Sequence, residues 1–136
     1  MATYTTGPVD SDQATRTIYP SARFVAYTSA AAVVGTILNV VQAIPVYAGE
    51  TVLAGSLLAT DLDTNGTPLL KLDVGDGDDV DRFLADSSIG QTGGFAALNL
   101  NLPKTYAAAD TIDINVKAAA ATAAAGTLTL LIWVVG

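Results

Sequence analysis

The sequence predicts an all-β protein, a single β-sandwich or jelly-roll-like domain preceded by an extended N-terminal arm. Three observations carry this. Short apolar stretches, several of them alternating, recur with Gly, Asn, Asp or Pro turns every 8–12 residues or so. No strand–helix–strand alternation is present, which argues against a nucleotide-binding α/β fold. The 136 residues, 51% hydrophobic and 14% charged, suit one domain with its own core and are far from the composition of a disordered chain.

Residues 1–22 hold Thr, Ser, Asp, Gln, Gly7, Pro8 and Pro20, with isolated Tyr4, Val9, Ile18 and Tyr19. No period of 2 or 3.6 runs through them, so they read as an arm. The strand pattern starts at about Ala30, which places the arm at 1–29 and the sandwich at 30–136. Within the sandwich, Ile37–Tyr47 is rich in β-branched residues, with Pro45 marking an edge or bulge. Val52–Thr60 is the next strand. Asn65-Gly66 then gives the strongest hairpin signal in the chain. Leu69–Val74 puts Leu70, Leu72 and Val74 on one face and Lys71 and Asp73 on the other.

Gly75–Asp81 reads as a solvated acidic loop and Arg82–Ala85 as a short strand or helical turn. Ser87–Gly94 is glycine-rich but lacks the Lys-Ser/Thr of a phosphate loop. Phe95–Leu102 alternates until Pro103 stops it. Thr111–Ala118 has Ile112, Ile114 and Val116 on one face and Asp113, Asn115 and Lys117 on the other, a half-buried strand with water or a polar partner outside. The Ala118–Ala125 run reads as strand end and loop. Thr127–Val135 ends apolar on both faces at Leu131–Val135, so both sides of that end need covering.

Cysteine and histidine are absent, which removes disulfides, Cys/His zinc sites, thiol nucleophiles and an imidazole base. The net charge of −7 makes nucleic acid a poor partner. The start of the chain is polar and uncharged, so no secretory signal is expected. Gly35, Asn39, Gln42, Pro45, Gly49 and Glu50 interrupt the most apolar stretch, so no membrane span is expected either.

Asp61-x-Asp63-x-Asn65-Gly66 opens like a calcium loop. Leu72 stands where the bidentate glutamate would be, and Asx-rich turns form without metal. Asp61, Asp63 and Asn65 are therefore carried as a candidate Ca2+ turn, with a plain turn favoured and no cofactor otherwise expected. Paired carboxylates could in principle cleave glycosides, yet nothing singles out one acid, and no enzyme is expected. Trp133 and Phe95 read first as core residues. Tyr4, Ile18, Tyr19, Phe24 and Trp133 are the candidate partner contacts, since aromatic residues are favoured at interfaces.

Several stretches resemble the decoration, or cement, proteins of tailed-bacteriophage heads. They are Ala48-Gly-Glu-Thr-Val52, Leu57-Leu-Ala-Thr-Asp-Leu-Asp-Thr-Asn-Gly-Thr-Pro68, Leu72-Asp-Val-Gly-Asp-Gly77, Asp81-Arg82-Phe83, Tyr106–Asp113 and Gly126-Thr-Leu-Thr-Leu130. The likeness spans roughly residues 35–136. It implies a non-enzymatic β-sandwich on the outer surface of the capsid, often a homo-oligomeric trimer, that binds the major capsid protein and clamps its subunits. The alternative is a carbohydrate- or surface-binding module of a phage fibre or tail, using calcium at Asp61–Asn65.

Overall fold

The structure, a computed structural model, describes residues 21–136. Among these residues nine strands form two antiparallel sheets packed face to face. The elements are β1 (Ser21–Ser29), a one-turn helix α1 (Ala31–Val34), β2 (Val40–Val46), β3 (Thr51–Ala59), β4 (Lys71–Gly75), β5 (Leu84–Ser87), β6 (Gly94–Ala97), β7 (Lys104–Thr105), β8 (Asp110–Ala118) and β9 (Gly126–Val135). Sheet A has the order β1-β9-β3-β6, with β7 also on β3. Sheet B has the order β2-β8-β4-β5. The all-β sandwich expected from the alternating patterns is the fold observed.

The core follows from side-chain alternation. Sheet A contributes Val52, Leu57, Leu128, Leu130, Ile132 and Val134. Sheet B contributes Ile44, Val46, Leu72, Val74, Ile112, Ile114 and Val116, and Phe83 fills the space beside them; all are buried. Each such side chain contributes about 1.5–3 kcal/mol on burial, so the faces opposite this core are free to serve other ends.

Three expectations are corrected. Residues 21–29, assigned to the arm, form β1, which pairs with β9 over its whole length from Ser21↔Val134 to Ser29↔Gly126. The rest of the arm, 1–20, lies outside the described residues. Asn65-Gly66 does not close a hairpin. The strands on either side, β3 and β4, belong to different sheets, and the Asx-rich segment carries the chain from one layer to the other.

The acidic segment after Gly75 is not simply solvated. It folds back across the outer face of sheet B, where a Cβ on Gly75 would lie 2.0 Å from the Asp79 carbonyl oxygen. Glycine is needed there because the loop backbone occupies the side-chain position.

Candidate functional site

The outer face of sheet A is set by register. Residues directly opposite in an antiparallel pair share a face, so the rows can be read across the strands. One row is Ala22–Trp133–Ala54. The next is Phe24–Leu131–Ser56–Ala97, and the third is Ala26–Thr129–Leu58–Phe95. A fourth begins Thr28–Thr127. None of these side chains is charged. Phe24 is 70% exposed, Phe95 63%, Trp133 43% and Leu58 41%. A β-bulge between Val52 and Ala54 leaves Leu53 partly exposed beside them.

This face brings together two of the residues singled out in the sequence, Phe24 and Trp133, on adjacent strands. Their exposure answers the question left by the apolar end of β9. Ile132 and Val134 are buried inward, while outward Trp133 is exposed and Leu131 only half-buried. Tyr4, Ile18 and Tyr19 lie outside the described residues. The sequence reading missed Leu58 as a surface residue and placed Phe95 in the core. Only the register of β3 with β6, Leu58↔Phe95, shows that both point outward.

The outer face of sheet B is the opposite in character. Asp73 and Asn115 are paired across β4 and β8, as are Gly75 and Asp113, and the Asp76–Arg82 loop covers them. Asn115 Nδ2 donates to the Val80 carbonyl at 2.8 Å. Asp76 anchors the loop. Its Oδ2 accepts from Tyr106 Oη at 2.8 Å and from Arg82 Nε at 2.6 Å, and its Oδ1 accepts from the amides of Asp78 and Asp79. Burial raises the Asp76 pKa, but the Arg82 and Tyr106 hydrogen bonds outweigh it and hold the carboxyl below its ordinary value.

Asp73 and Asp113 lie beneath the same loop. Burial pushes both above the ordinary carboxylate range. The Asp86 amide only partly offsets this at Asp73, and the Thr111 hydroxyl only partly at Asp113. A cavity of about 470 Å³ opens beside Asp76, Asp113, Gln42 and Val40.

The candidate calcium turn is wired to amides. Asp63 is 1% exposed. Its Oδ2 accepts from the backbone N–H of Leu69, Leu70 and Ala121 at 2.7–3.0 Å, and its Oδ1 from Thr122 at 2.9 Å. Burial works against the charge, yet these amides hold the carboxyl far below its ordinary value. Asp61 Oδ1 accepts from the Asp63 amide and Asn65 Oδ1 from the Thr67 amide. Each of the three side chains is thus engaged by backbone amides, and no group of three or more acidic side chains among the described residues is arranged to hold a metal ion.

The site is therefore an uncharged, aromatic-edged sheet face on an acidic β-sandwich. No family model and no curated protein matches the chain. Solved structures do. A chain of the cyanophage Pam1 capsid asymmetric unit is 26% identical, with a TM-score of 0.66 over 87% of this chain and 84% of that one. A chain of the Ralstonia phage GP4 capsid shares the fold, with a TM-score of 0.68, 20% identity and coverage of 99% and 90%. The protein is thus related in structure to components of phage capsids.

Proposed function

We propose that the protein is a decoration protein of a tailed-phage head, seated on the outside of the shell with the outer face of sheet A against the major capsid protein. The observation that carries this reading is that face. Four strands present an uncharged surface edged by Phe24, Trp133 and Phe95, on a chain of net charge −7 whose fold recurs in two phage capsids. Large exposed apolar faces on soluble chains mark contact surfaces. The acidic face on the far side suits contact with solvent, where like charge keeps neighbouring copies from stacking.

In this reading the protein performs no chemistry. It adds buried area across the junctions between shell subunits, and many symmetric copies multiply a modest contact into particle stability.

The test is binding to heads. Purified chain is mixed with heads of the encoding phage that lack it, and bound copies are counted by quantitative mass spectrometry. Saturation at hundreds of copies per particle, with heads surviving higher denaturant or temperature, is the expected result. A handful of copies, or binding that requires a glycan and calcium, would overturn the proposal in favour of a fibre or tail module.

A further inference from the structure

The edge strands of the sandwich are not equally protected, and β7, on the same side of β3 as β6, is only two residues long. Sheet edges attract other chains, and proteins blunt them with short strands, proline, bulges or charge. In sheet B, β2 carries Pro45 and a bulge between Gln42 and Ile44. The other edge, β5, is four residues long and contains Asp86 in the left-handed region at φ 56°. In sheet A, β6 is also four residues long and starts at Gly94 with φ 137°. The remaining edge, β1, has nine residues, no proline and an unbroken register with β9. Among the described residues its outer side has no backbone hydrogen-bond partner.

We infer that β1 pairs antiparallel with β1 of a second copy across a two-fold axis at Val25. The strand is Ser21-Ala-Arg-Phe-Val-Ala-Tyr-Thr-Ser29, and its sequence is complementary to its own reverse. Full overlap sets Ser21 opposite Ser29 of the second copy, Ala22 opposite Thr28, Arg23 opposite Tyr27, Phe24 opposite Ala26 and Val25 opposite Val25. Each pair has the same inward or outward parity on its strand. The large outward ring of Phe24 meets the small Ala26. The Arg23 guanidinium is held within its own copy by an ion pair with Glu50 and lies 5.7 Å from the Tyr47 ring centroid, so it brings no unpaired charge to the seam. No like charges oppose each other.

A two-fold contact of this kind is isologous: the same strand serves both copies. It differs from the trimer implied by the family resemblance, which needs two distinct surfaces. Its axis runs perpendicular to the sheet, so the two outer faces of sheet A become one continuous surface on the same side. A single pair of edge strands covers little area compared with the roughly 800 Å² per partner of a stable complex. The dimer is therefore concentration-dependent in dilute solution.

The test uses the full chain, free of native cysteine. Val25→Cys is expected to form a disulfide-linked dimer readily, because paired Cβ atoms at the axis lie about 4.5–5.5 Å apart. Thr28→Cys is the off-register control. Its two copies would sit six positions apart, about 20 Å, and should not cross-link.

A second pair of variants uses positions exposed in the single copy. Ala22→Lys with Thr28→Lys sets lysine against lysine only between copies, and should weaken dimerisation at least tenfold in sedimentation velocity. Ala22→Lys with Thr28→Glu sets lysine against glutamate and should restore it. Equal cross-linking of the two cysteine variants, equal behaviour of the two charge variants, a trimer in place of a dimer, or cross-linking that appears only when residues 1–20 are deleted would each overturn the inference. None of these measurements requires a capsid, so the result is independent of head binding.

Discussion

The two outer faces of the sandwich are made of the same kind of strand and are opposite in character. Sheet B's outer face gathers Asp73, Asp76, Asp78, Asp79, Asp81, Asp86, Asp110 and Asp113, eight of the chain's 13 acids, with Arg82 and Lys117 in ion pairs beside them. Its polar groups are tied down by a loop and by hydrogen bonds to buried carboxylates. Among the described residues, sheet A's outer face carries no charged side chain and no loop is tied across it as on sheet B. Substitutions on sheet B's face should therefore act on stability, and substitutions on sheet A's face on binding.

The largest effect is expected at Asp76. Asp76→Ala removes the acceptor for a buried tyrosine hydroxyl, an arginine and two amides at once. Orphaned buried donors of this kind cost about 1–3 kcal/mol each, partly recovered by relaxation. A loss of about 3 kcal/mol in denaturant unfolding is expected. A loss below about 1 kcal/mol would mean that the loop is not held by this carboxylate.

On the opposite face, Phe24→Glu combined with Phe95→Glu changes two side chains that are mostly exposed. The melting temperature should hold nearly constant, since exposed substitutions usually stay within about 0.5 kcal/mol each. Affinity for heads should fall by about 100-fold, because charge would be buried in an apolar contact. Unchanged affinity would take the face out of the mechanism and erase the contrast between the sheets.

The contrast was only partly legible in the sequence. The β8 and β9 strands were readable because Ile112–Val116 and Thr127–Leu130 alternate against a core. The β1 strand was not. At a sheet edge its inward residues Val25 and Tyr27 stay half exposed and its outward Phe24 stays bare, so no period marks it. The acidic loop was misread because its burial depends on Tyr106, 30 residues away from Asp76. Local composition cannot show which acid meets a distant hydroxyl. Phe24 and Trp133 could be picked out as aromatics, but that they share a face with Leu58 and Phe95 needed the register.

A smaller effect separates buried acids with opposite surroundings. Asp113 and Asp63 are both under 9% exposed, yet burial raises the first and amides lower the second. For Asp113 the folded pKa lies above the unfolded one, about 3.9. Its contribution to stability is present at low pH, where both states are protonated, and is lost as pH rises through the window from there to the folded value. Asp113→Asn keeps an acceptor for the Thr111 hydroxyl and should raise the stability of the protein at pH 7 in denaturant unfolding, with the gain vanishing as the pH falls to the unfolded carboxylate value. Destabilisation at pH 7 would show that the charged form is used by the fold. For Asp63 the sign is reversed: its stabilisation is full above about pH 4 and fades as pH falls towards its depressed folded value.

The smallest effect expected is that of calcium, and it bears on both the acidic face and the Asp61–Asn65 turn. A cation bound to either would neutralise charge and raise the melting temperature by mass action. At the turn, the Asp63 oxygens already accept four short amide bonds, and a calcium ion wants six to eight oxygens at 2.3–2.6 Å. Binding would require stripping amides from Asp63 and leaving them buried without an acceptor, which costs more than a single weak site returns. Beneath the loop, Asp76 is likewise committed to Arg82 and Tyr106. Millimolar calcium should therefore leave the melting temperature and the dimerisation of the chain unchanged. A clear upward shift, abolished by Asp63→Asn, would mean that the turn rearranges around the ion and would revive the calcium-dependent module. A shift abolished by Asp113→Asn would instead place the ion in the cavity on sheet B and make the acidic face a ligand site as well as a solvent surface.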